Sequence, residues 1–105
     1  MDQQNLLKDL LTSLVKTNIE RDFKLINSLQ LEVVELTRRC KERGDQIKQL
    51  QTVVGSSLAT KCLDLLLQIQ DEDLEKSRTL MILISETQIK VVNTISFLAK
   101  MRNNC

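Results

Sequence analysis

The residues able to do chemistry in this chain are few. Cys40, Cys62 and Cys105 are its only thiols, and its 105 residues include no His. Without imidazole there is no Ser-His or Cys-His nucleophile and no His-bearing zinc site. The thiols are odd in number and widely spaced, so they form neither a disulfide framework nor a Cys-x-x-Cys motif. Asp71 and Glu75 stand one helical turn apart, but nothing in the surrounding residues suggests a concave pocket for acid-base work. Two Gly and no Pro leave no phosphate-cradling loop. The expectation is a non-enzyme with no cofactor, no metal site and no small-molecule substrate. Cys40 and Cys62 are expected to pack as small hydrophobes, and free thiols fit a reducing cytosol.

Charge narrows the partners. The net charge is +1, so no strong field draws the chain to nucleic acid or an anionic membrane. Arg38, Arg39, Lys41, Arg43 and Lys48 gather against Glu42 and Asp45. Such a run can hold phosphate. No aromatic lies among these residues to stack on bases, and the basic region of a zipper-type DNA reader is denser. A solvated helix face is the expected role. The residues from Met1 to Leu11 lack the features of a signal peptide. The longest apolar run, Leu80 to Ile84, is far short of the roughly 20 residues a membrane span requires. A cytoplasmic protein without a transmembrane segment is expected.

Helices must position whatever this chain does. It is 42% hydrophobic, too apolar for a disordered tail, and it lacks the breakers that a fold of many turns requires. Residues 15–54 carry a heptad repeat. Ile19, Ile26, Val33, Cys40, Ile47 and Val54 occupy position a, and Val15, Asp22, Leu29, Leu36, Arg43 and Leu50 position d. β-Branched residues at a and Leu at d suit two strands. Ile26, Leu29, Val33, Leu36, Ile47 and Leu50 are the expected partner-binding seam. Asp22 and Arg43 are charges at d, tolerable only where a partner answers them. The g and e positions pair Glu32 with Thr37, Arg39 with Gly44 and Gln46 with Gln51. None is an opposite-charge pair, so self-pairing is not specified and a different coiled-coil chain is favoured.

Gly55-Ser56-Ser57 is the one plausible break, with Gly55 at a helix C′ position and Ser56 or Ser57 as the next N-cap. The frame slips by one residue there. The expected fold is all-α: a long coiled-coil helix over 5–54 and 58–102, either continuous through a stutter or broken at 55–57 into a helical hairpin. The missing Pro suits the continuous helix, slightly the favoured form; the equal halves suit the hairpin. Either way the chain reads as a single coiled-coil unit.

Beyond the break, Leu63, Leu67, Leu74, Met81, Ile84, Val91, Ile95 and Leu98 line the best seam, interrupted by Gln70, Ser77 and Gln88. Leu65, Leu66, Ile69, Leu80, Ile82, Leu83, Ile89, Val92, Phe97 and Ala99 widen it. So wide a stripe calls for more than one facing helix. A second wide stripe, Leu6, Leu7, Leu10, Leu11 and Leu14, precedes the first seam. Its polar face lacks the basic residues of a membrane-surface helix, so it too is expected to pack on a partner.

Residues 35–55, ELTRRCKERGDQIKQLQTVVG, share Glu35, Leu36, Cys40, Lys41, Asp45, Ile47, Gln49, Gln51, Val54 and Gly55 with a family pattern. This segment resembles the coiled coil of the intraflagellar transport protein 20 family, subunits of the particle that builds cilia. The likeness covers one fifth of the chain. It implies a heterodimeric coiled coil with another subunit of the particle. It also implies a location at the cilium or ciliary base and a link to Golgi-derived traffic. The heptads alone serve equally a subunit of a kinetochore, meiotic or organelle-positioning complex, or a self-associating hairpin bundle.

Overall fold

The computed structural model describes residues 3–53 and 55–103. The fold is all-α, a helical hairpin of two long helices, α1 (Gln3–Gln51) and α2 (Ser57–Asn103). The continuous helix is set aside, because α1 ends at Gln51 and α2 begins at Ser57 and packs back on it. Val54, expected at a seam position, and Cys105 lie outside the described residues.

Local chemistry explains the turn. At the end of α1, Thr52 N donates to Gln49 O at 3.3 Å and Val53 N to Leu50 O at 3.0 Å. These tighter i to i−3 bonds close off carbonyls that the helix leaves open. Gly55 then adopts φ +82°, a left-handed conformation that costs glycine little and other residues more. It stands four residues past Gln51, so it shapes the connection and is not the C′ cap. Ser56 is the N-cap of α2, its Oγ accepting from Ala59 N at 3.2 Å.

Contacts divide the chain into two compact units, Met1–Leu29 with Leu83–Cys105, and Gln30–Ile82. In each, a stretch of α1 packs against a stretch of α2. In the first unit the side chains turned inward on α1 are Thr12, Val15, Ile19, Asp22, Ile26 and Leu29. Those on α2 are Ile84, Thr87, Val91, Thr94, Leu98 and Met101. Thr87 is buried without loss of hydrogen bonding, since its hydroxyl donates to Leu83 O at 2.8 Å. In the second unit Val33, Leu36, Cys40, Arg43, Ile47 and Leu50 face Leu63, Leu66, Gln70, Asp73, Ser77 and Leu80. Leu36 is wholly out of solvent. A leucine buried this far contributes roughly 1.5–3 kcal/mol.

On α1 the inward row is the a and d row of the heptads. On α2 only half of the expected row turns inward. Leu63, Gln70, Ser77, Ile84, Val91 and Leu98 do so. The alternate line falls one residue earlier than expected: Leu66, Asp73, Leu80, Thr87 and Thr94 take the places foreseen for Leu67, Leu74, Met81, Gln88 and Ile95. The more polar line places Asp73 opposite Arg43, where the two form an ion pair.

Candidate partner-binding surfaces

The answered charges come first, because they decide which surfaces remain free. In the second unit the Arg43 guanidinium donates through Nη1 to Gln70 Oε1 at 2.9 Å. Its Nη2 pairs with Asp73 Oδ2 at 2.9 Å. Gln70 Nε2 in turn donates to Cys40 O at 2.9 Å. Both members of the ion pair are largely withdrawn from water, at 12% and 18% exposure. A polar layer of this kind is stable only when its members are satisfied, and a slip of the helices would strand it. In the first unit Asp22 is buried and its carboxylate pairs with Lys90 Nζ at 3.4 Å. The partner demanded by each charge at d is therefore the chain's own second helix.

The same holds for the expected seam. Ile26, Leu29, Leu36 and Ile47 are buried against α2, and Val33 and Leu50 are half-buried there. On α2, Val91 is buried, and Leu63, Ile84 and Leu98 are half-buried. These residues hold the hairpin closed. Leu67, Leu74, Met81 and Ile95 stay exposed on a flank of the seam. Cys40 sits half-buried within the seam, and Cys62 half-buried at its edge.

What the hairpin leaves uncovered is apolar. In the first unit, Leu6, Leu7, Leu10 and Leu14 of α1 are all more than half exposed. Ile89, Val92 and Phe97 of α2 are equally open. Ile89 and Phe97 border a shallow depression of about 430 Å³ with Glu86, Lys90, Asn93 and Thr94. In the second unit an apolar groove of about 600 Å³ lies between the helices, lined by Leu50, Val53, Cys62, Leu65 and Leu66 with Gln46 and Gln49.

The charged run of α1 is partly spent within its helix. Arg38 pairs with both Glu35 and Glu42, and its hydrogen bond holds the Glu35 carboxyl below its ordinary value. Arg43 is turned into the seam. Lys41 and Lys48 remain exposed, as do Asp64 and Asp71 on α2. Among the described residues no cluster of His, Cys, Asp or Glu could hold a metal ion. No described helix is long and apolar enough to cross a membrane. The sequence pointed to apolar surplus beyond one seam but not to the Arg43–Gln70–Asp73 layer. Arg43 at d was the signal that a counter-charge would be found.

No protein-family model matches the chain, and no curated protein or solved structure matches it.

Proposed function

We propose that the chain is a non-catalytic coiled-coil adaptor, a subunit of a cytosolic multi-protein assembly that works by docking partner helices. The observation that carries this reading is the apolar surface of the first unit. There Leu6, Leu7, Leu10 and Leu14 and, on the other helix, Ile89, Val92 and Phe97 remain exposed after the seam has closed. A hairpin that served only its own stability has no use for these residues on its outer faces. The expected partner is a helix, whose own apolar row would bury them.

The finer reading, a subunit of a ciliary transport particle, rests on the resemblance of residues 35–55. In that segment Leu36, Cys40 and Ile47 are engaged by α2, so a partner of this segment would meet its outer positions.

The test is quantitative co-purification from ciliated cells of the wild-type chain and a variant carrying Leu7→Gln, Leu10→Gln and Leu14→Gln. All three side chains are exposed, so the hairpin stays folded, which circular dichroism checks. A discrete set of proteins retained by the wild type and lost from the variant is the expected result. An identical set from both would remove the role assigned to this surface. Transport-particle subunits among the lost proteins would support the ciliary reading, and their absence would count against it.

A further inference from the structure

One face of the second unit carries a charge pattern that the chain does not use internally. Gln70 donates to Cys40 O at 2.9 Å, which places these two residues at the same height on antiparallel helices. Lys41 and Asp71 directly follow them and step in opposite directions along the antiparallel helices, so they stand only about 3 Å apart in height, within reach of a lysine side chain. One heptad along, Lys48 on α1 and Asp64 on α2 keep the same small offset, because α2 runs in the opposite direction. All four are exposed, and none makes an ion pair among the described residues. The Glu32–Lys76 pair (3.6 Å) bridges the opposite side of the seam. Between the basic edge on α1 and the acidic edge on α2 runs the exposed row of Leu67, Leu74 and Met81. Across from it α1 presents uncharged Thr37 and Gly44, and nothing lies within 4 Å of where a Gly44 Cβ would be.

We propose that this face binds a second copy of the chain, forming a four-helix bundle about a two-fold axis parallel to the helices. That axis exchanges α1 for α2 without changing height. Lys41 of each copy then meets Asp71 of the other, and Lys48 meets Asp64. The symmetry repeats each pair, which gives four rim ion pairs around a shared apolar centre. A two-fold axis perpendicular to the helices would instead stack α1 on α1 and set lysine against lysine. Rim pairs of this kind select orientation more than they add affinity, and the leucine row supplies the burial. This inference stands apart from the adaptor reading, which uses the first unit.

The experiment is sedimentation velocity on the full chain and on two charge-reversed variants, one carrying Lys41→Glu and Lys48→Glu, the other Asp64→Lys and Asp71→Lys. The wild type is expected at twice 12.1 kDa. Each variant alone sets like charges together, raising its dissociation constant by roughly a hundredfold. An equimolar mixture of the two variants restores all four pairs and returns the dimer. A wild-type monomer, an assembly larger than a dimer, a dimer indifferent to both reversals, or a mixture that fails to reassociate would each overturn the proposal. Should a double variant lose helicity, Lys48→Glu and Asp64→Lys alone carry the same test. A wild-type monomer that still loses its partners through the Leu7, Leu10 and Leu14 substitutions would leave the adaptor reading standing.

Discussion

Two buried seam residues of opposite character fix what single side chains contribute. Leu36 is fully buried, and truncating it leaves a cavity that two helices can only partly close. Leu36→Ala is expected to destabilise the hairpin by about 3 kcal/mol in urea unfolding. Asp22 is also buried, but its ion pair reaches out to a Lys90 that is 59% exposed. Placing a carboxylate in the seam costs desolvation that one such pair offsets poorly. Asp22→Leu is therefore expected to stabilise the hairpin by about 1 kcal/mol, and a loss of stability would show that the pair contributes more than burial. Both positions were visible in the heptads, Leu36 as a strong d and Asp22 as a weak one. What the heptads did not contain was the partner, since a charge at d states a need and not the residue that meets it.

At the scale of elements, the two glycines separate helix propensity from turn geometry. Gly44 lies within α1 with open space about its missing side chain, so Gly44→Ala is expected to raise stability by about 0.5–1 kcal/mol. Gly55 holds φ +82°, and Gly55→Ala is expected to lower stability by about 1 kcal/mol. Thermal melts of both variants read the two signs directly, and a shared sign would contradict the placement of the turn. The elements were largely legible beforehand. The alternation of 4 and 3 marked the inward row of α1 from Val15 to Leu50, and Gly55-Ser56-Ser57 marked the break. For α2 apolarity alone was misleading, because Leu67, Leu74, Met81 and Ile95 make a greasier row than Leu66, Asp73, Leu80 and Thr87. The polar row sets Asp73 against Arg43, an ion pair that Leu74 could not supply. The greasier row is then left exposed to solvent.

Taken as a whole molecule, the chain spends its seam on itself and keeps its surplus apolar rows on the outside. The sequence alone left a continuous helix and a hairpin nearly balanced, since an unbroken helix closed by a second chain would satisfy the same heptads. The decisive difference is whether the counter-charge to Arg43 comes from the same chain, and it can be measured. Arg43→Asp places two carboxylates in the seam, and Asp73→Arg places two guanidinium groups there. Each is expected to cost about 3 kcal/mol, because breaking a desolvated pair leaves a charge unanswered. Thermal melting of the two single variants, of their equimolar mixture, and of the double variant carrying both changes in one chain distinguishes the two cases. The account predicts that the double variant regains most of the lost melting temperature while the mixture melts as its weakened components do. Recovery in the mixture would contradict it, since the seam would then be closed between chains.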